Sequence, residues 1–239
     1  VFMVERHHQI DFATGALVFP GGKIDEGDSA PGLRARCENA GGLNDTELTL
    51  RVGGIREAFE ECGVLLAHDA GGAGLVPAKR LLELEHYRKK LVDGEIKMLE
   101  FLTTEDLVLL PETLVPFAHW ITPPMEPKRF DTHFYVIEAP GDHIALHDGH
   151  ESVDSVWIKP AKAIEEADAG RRTVIFPTRL NVQKLGHSKT VAEALAAARA
   201  SKIVTVEPKI IKTDKGPCIQ IPEAAGYDVS VKLLSELRR

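Results

Sequence analysis

Residues 56–64 read Arg56-Glu57-Ala58-Phe59-Glu60-Glu61-Cys62-Gly63-Val64. A helix turns by about 100° per residue, which places Glu57, Glu60 and Glu61, at i, i+3 and i+4, on one narrow arc. Like charges so arranged repel by roughly 0.2–0.5 kcal/mol per pair on an exposed helix, and by more where they are buried. Something cationic must offset them. Clustered carboxylates are hard oxygen ligands suited to Mg²⁺ or Mn²⁺. An exposed helix whose Arg56 pairs with Glu60 at i+4 would answer the same charges, and this stretch alone leaves both readings open.

Outward from this helix, expected over 52–62 with Gly63 as its stop, the upstream punctuation is Phe19-Pro20-Gly21-Gly22-Lys23-Ile24-Asp25-Glu26-Gly27-Asp28. It closes a strand-like run at 16–19, and a second run lies at 1–4. Residues 29–49, with Pro31, Gly32, Gly41, Gly42 and Asn44, read as a surface excursion. Downstream, Asp69-Ala70-Gly71-Gly72-Ala73-Gly74 lacks the Gly-Lys-Ser/Thr of a phosphate loop and reads as a linker. Apolar residues at helical spacing then predict helices over 77–92 and 95–110. Strands follow at 116–122, 129–137 and 153–158. A helix opened by proline is expected over 160–168. Thr190 with Glu193 marks the start of an alanine-rich helix ending near 201. The tail, 203–221, alternates as a hairpin around Thr213-Asp214-Lys215-Gly216. This interleaving without a regular βαβ rhythm predicts an α/β fold with a mixed sheet and a helical insertion. The expected division is one domain over 1–202, interrupted by 29–49 and by a helical insertion over 77–110 that is either a packing element or a lid over substrate, with a hairpin and tail over 203–239 packed on it.

The 239 residues are 44% hydrophobic, enough for a core. A net charge of −7 argues against a basic sheath tracking nucleic acid. Cys37, Cys62 and Cys218 form no CxxC pair, so neither a disulfide framework nor a zinc ribbon is expected, and a reducing cytoplasm suits the chain. No apolar run reaches the ~18 residues of a membrane span. His143, His147, His150 and Glu151 invite a zinc reading, but Asp148-Gly149 would break any helix aligning them. Solvated loop histidines are expected there.

Gly22, five residues, Asp28, and then Arg56-Glu57-x-x-Glu60-Glu61-x-Gly63-Val64 resemble the signature box of the Nudix hydrolases. Asp28 stands where the family has Glu, and 27 residues, 29–55, replace the usual seven. An interruption at this point resembles the split-box branch that includes the peroxisomal coenzyme A diphosphatase. Trp120-Ile121-Thr122-Pro123 and Arg129-Phe130-Asp131-Thr132 are similar to the same branch. The resemblance implies an α/β/α sandwich and hydrolysis of a diphosphate in a nucleoside-diphosphate-linked compound. Coenzyme A or acyl-coenzyme A leads, giving 4′-phosphopantetheine and adenosine 3′,5′-bisphosphate. ADP-ribose, dinucleotide or RNA-cap cleavage is the alternative, as is a Nudix-fold sensor that binds without cleaving.

The implied metal ligands for Mg²⁺ or Mn²⁺ are Glu57, Glu60, Glu61 and the Gly22 backbone. Glu60 or Glu151 is the expected general base, and Arg56 orients a carboxylate. Arg6, Lys128 and Arg129 are the candidate phosphate-binding residues, the last two equally suited to rim salt bridges. Arg6 and the run Gly15-x-x-x-Phe19-Pro20-Gly21-Gly22 match a coenzyme A motif, in which Asp11 replaces a second Arg. The expected partner is a small-molecule diphosphate, with no membrane or nucleic acid. A homodimer is compatible with this reading.

Overall fold

The computed structural model describes residues 1–6, 15–141, 143 and 152–237. Strand β1 (Phe2–Arg6) lies between β2 (Leu17–Val18) and a later strand, β7 (Ser152–Trp157), antiparallel to both. Segments remote in sequence therefore meet in one sheet. Met3 and Leu17 are buried there against Ala163, Ala167 and Val182.

Helix α1 (Asp45–Cys62) starts seven residues before the predicted boundary at 52. Asn44 accepts from the Glu47 backbone N–H while Glu47 accepts from that of Asn44, a reciprocal cap. The interior Gly53 is required by packing: a Cβ there would lie 2.5 Å from Ile24 Cδ1 and 2.9 Å from Asp28 Oδ2. The helix ends at Gly63, with φ 68°.

The surface-excursion expectation for 29–49 is corrected. Leu33, Ala40 and Leu48 are buried in the same cluster as Val52, Ile55 and Phe59 of α1. Short 3₁₀ turns at Leu33–Arg36 and Ala40–Gly42 let the segment double back, and Cys37 bridges to Leu109.

After α1 come β3 (Ala67–Asp69), α2 (Ala78–Leu84), α3 (His86–Val92), α4 (Met98–Thr104) and β4 (Leu107–Leu109), with β3 and β4 paired antiparallel. The helical expectation for 95–110 therefore fails beyond 104. Leu107 and Leu109 are wholly buried in a ladder with Ala67 and Asp69, and this pairing overrides local periodicity. Helices α2–α4 pack on α1. Leu84, Tyr87, Phe101 and Leu102 enter the core of α1, and the Phe59 and Phe101 rings stack at 5.5 Å.

A mixed sheet follows, with β5 (Val115–Ile121) between antiparallel β6 (Asp131–Val136) and parallel β8 (Thr205–Val206). Between β7 and β8 run α5 (Pro160–Asp168), α6 (Phe176–Gly186) and α7 (Val191–Ala200). Helix α6 was not legible in the sequence. In α7, Thr190 caps the Glu193 N–H, whereas the Glu193 carboxylate reaches Lys189 N rather than closing a full box. The tail forms β9 (Lys209–Thr213), β10 (Gly216–Gln220) and β11 (Val231–Leu233), a three-stranded antiparallel sheet where a hairpin was expected. It joins the body through Tyr227, which accepts from Trp120 Nε1 at 2.8 Å and donates to Asn181 Oδ1 at 2.7 Å. Cys37, Cys62 and Cys218 are free thiols. Among the described residues, no helix is long and apolar enough to cross a membrane.

Candidate active site

The polar face of α1 meets the loop that follows β2. Arg56 is the hub, and all five of its N–H donors meet protein acceptors. Nε and Nη2 fork onto Asp28 at 2.9 and 3.0 Å, Nη1 reaches Glu57 Oε1 at 2.9 Å and Glu60 Oε2 at 2.8 Å, and Nη2 also bonds the Lys23 carbonyl at 2.7 Å. Asp28 is 1% exposed, and it also accepts from the Asp25 N–H, so its substitution for Glu keeps the link between loop and helix. The Arg56–Glu60 pair of the exposed-helix reading exists, but it is buried.

The glycines fold the loop onto the carboxylates. Gly21, at φ 141°, holds a conformation that L side chains rarely adopt, and its N–H donates to Glu61 Oε2 at 2.8 Å. A Cβ on Gly22 would lie 2.5 Å from Glu57 Oε2, so the Gly22 backbone lies against that carboxylate. Lys97, just before α4, grips both Asp25 oxygens at 3.1 Å. Arg88 of α3 donates through Nε and Nη2 to the Glu60 carbonyl, satisfying the C-terminal end of α1.

Burial, together with the neighbouring Glu57 and Asp28, pushes the Glu60 carboxyl up to about 7, although Arg56 opposes the shift. Arg56 itself is held more firmly protonated than usual by its acidic partners. One guanidinium thus faces Asp28, Glu57 and Glu60, while Glu61, also on α1, accepts from the adjoining loop at Gly21. This excess of hard oxygen donors, pressed against a glycine backbone, fits a divalent Mg²⁺ or Mn²⁺ ion.

The other expected site residues divide. Lys128 and Arg129 line the same groove as Glu57, Glu60 and Glu61. Arg129 forms a rim salt bridge with Glu207 at 2.9 Å, and Lys128 Nζ lies over the Phe130 ring at 5.6 Å. Arg6 ends β1, but its side chain lies outside the described residues, as do Asp11, His147, His150 and Glu151. His143 corrects the solvated-loop expectation: it is buried, with Nε2 2.8 Å from the Val76 carbonyl. A pair of histidines that gathers around one acid, His119 and His133 with Asp131, was missed, because strand register brings them together.

Residues 29–184, more than half of the chain and including the whole of α1, match the family described as the NUDT19 Nudix domain. The chain belongs to that family. As a NUDT19 Nudix domain, it is 27% identical over 211 residues to the acyl-coenzyme A diphosphatase NUDT19 of Gallus gallus, covering 69% of this chain and 55% of that protein. Its identity to the Xenopus laevis protein of the same name is 21% over 234 residues, covering 81% and 61%. The chain thus spans little more than half the length of these curated relatives. Among solved structures, a Nudix hydrolase from Alicyclobacillus acidocaldarius superposes with a TM-score of 0.64 at 22% identity, covering 82% of this chain and 87% of that one. The α/β Nudix fold expected from the sequence is therefore the fold of this NUDT19 Nudix domain.

Proposed function

We propose that this chain is a Mg²⁺- or Mn²⁺-dependent Nudix diphosphatase that cleaves coenzyme A or an acyl derivative into 4′-phosphopantetheine and adenosine 3′,5′-bisphosphate. The observation that carries this reading is the carboxylate turn Glu57-x-x-Glu60-Glu61, clasped by Arg56 and roofed by Gly21 and Gly22 at the wall of a groove. Glu57, Glu60, Glu61 and the Gly22 carbonyl would hold the metal. When bound, such an ion neutralises phosphate charge and makes water a better nucleophile.

The chain's own part is to place charges and move a proton. Arg56 is a positioning residue, since its donors are all engaged by Asp28, Glu57, Glu60 and Lys23. Glu60, titrating near neutrality, suits a general base. Its Oε2 accepts from Arg56, which leaves Oε1 for one role; as base, Oε1 would take the proton as the water oxygen bonds phosphorus and the bridging P–O bond breaks, with the metal then held by Glu57, Glu61 and Gly22. Lys128 and Arg129 would steady substrate phosphates at the groove rim, Arg129 exchanging Glu207 for phosphate.

The names of the two vertebrate relatives support the coenzyme A reading, as does the Gly15–Gly22 run with Arg6. Asp11, an acid where a phosphate-binding Arg would stand, favours another diphosphate such as ADP-ribose as second reading. Separate incubations with coenzyme A and with ADP-ribose, each with Mg²⁺ in ¹⁸O-water and followed by mass spectrometry, test both. Labelled phosphopantetheine or adenosine bisphosphate is expected. Intact coenzyme A alongside cleaved ADP-ribose would transfer the proposal to the second substrate, and no cleavage of either would favour a binding protein.

A further inference from the structure

The register of β5 and β6 sets His119 opposite His133 and brings Asp131 to the start of β6. Residues 131 and 133 share a face by the two-residue repeat, and cross-strand partners share a face as well. The two imidazoles stack with centroids 4.0 Å apart. Both Nε2 atoms converge on one oxygen, Asp131 Oδ1, at 2.5 Å from His119 and 3.5 Å from His133. Thr205 of the parallel strand β8 places Oγ1 2.8 Å from His119 Nδ1. Without an ion Nε2–H donates to Asp131; once a cation takes the place of that proton, the Thr205 hydroxyl accepts from Nδ1–H, the second partner that orients a ligating histidine.

The geometry points to a second cation site held by His119 Nε2, His133 Nε2 and the Asp131 carboxylate. Its candidate donor atoms all lie within 4.8 Å of one another. Two imidazoles and one carboxylate suit a borderline divalent ion such as Zn²⁺ or Co²⁺ rather than Mg²⁺. Tetrahedral ligands at Zn–N distances of about 2.0–2.1 Å stand roughly 3.3 Å apart. Loading therefore draws Asp131 back from His119 by under about 1 Å and pivots the rings out of their stack, so that both lone pairs meet at one point. The side chains leave room for this: Asp131 is 63% exposed and His133 32%. Three protein ligands leave one position of a tetrahedral shell to water or another oxygen donor. The site shares no residue with the carboxylate turn, and it does not depend on the diphosphatase reading, although Asp131 and His133 line the same groove.

Chelator-treated full chain titrated with Co²⁺ in excess Mg²⁺ tests the assignment through the visible ligand-field absorption of histidine-bound Co²⁺. The expected result is one Co²⁺ per chain, displaced by Zn²⁺. Asp131→Asn and His133→Ala should each weaken binding at least tenfold with unchanged circular dichroism, and Thr205→Val should weaken it severalfold. Glu57→Gln should leave it unaltered. If His133→Ala fails to fold, the exposed Asp131→Asn decides alone. An absent band, or binding that survives Asp131→Asn, overturns the site. Because no substrate is present, this outcome is independent of whether coenzyme A is cleaved.

Discussion

At the residue scale, Glu60 and Arg56 show how burial sets the protonation of a charge cluster. The Glu60 carboxyl is raised from 4.5 to about 7, first by desolvation. Between those values the folded chain keeps a proton that the unfolded chain has lost, so this contribution to stability is complete below about pH 4.5 and gone above about pH 7. Without metal, the chain should lose about 3 kcal/mol relative to Glu60→Gln between pH 4.5 and pH 8, measurable by urea unfolding. Glu60→Gln should lower kcat at least about a hundredfold while the chain stays folded, and full activity would remove Glu60 from the proposed chemistry. Because a divalent ion beside Glu60 favours its ionised form, Mg²⁺ affinity should rise with pH through about 7, which calorimetry can follow. Arg56→Lys keeps the charge but cannot fork onto Asp28 while reaching Glu57 and Glu60. It should cost about 3 kcal/mol or more in denaturant unfolding.

At the element scale, α1 is long because two features outside the box extend it: the reciprocal cap of Asn44 with Glu47, and the core contacts of Leu48 and Val52. The cap is written in the sequence as Asn-x-x-Glu, yet the Gly53–Gly54 pair is a poor helix interior by propensity. Only the fold explains Gly53, which leaves space for Ile24 and Asp28. Gly53→Ala should therefore destabilise by about 1–3 kcal/mol despite the better helix propensity of alanine, readable as a lowered thermal midpoint. Deleting 29–49 should abolish folding, since it removes Leu33, Ala40 and Leu48 together with the first turn of α1. A folded deletion variant by circular dichroism would show that these contacts are dispensable. Residues 107–109 illustrate the opposite limit, where Leu-Val-Leu continues a helical pattern and only the partner strand at 67–69 makes it β.

At the scale of the whole molecule, the groove is walled by pieces remote in sequence: the loop at 19–28, α1, β6 and the tail sheet. The tail is part of this body. Val206 pairs with Trp120, and Ile221 and Ala225 are buried in the cluster that holds Trp120 and Leu180. Truncation after 202 should therefore expose that cluster and give an aggregating or dye-binding chain, whereas a monodisperse, cooperatively unfolding product would make the tail an accessory.

The sequence by itself determined the carboxylate turn and its glycine loop, because i, i+3, i+4 spacing and a Pro-Gly-Gly turn are local geometry that any fold must respect. It also determined helix α5 and the 213–216 turn, where proline and glycine act on their own neighbours. Tertiary structure decided what is joined across distance. It made Asp28 and Arg56 a fork across 28 positions, and it buried 29–49. It also drew His119, Asp131, His133 and Thr205 together from three strands. Register and burial are properties of two segments at once, and no window of one segment contains them.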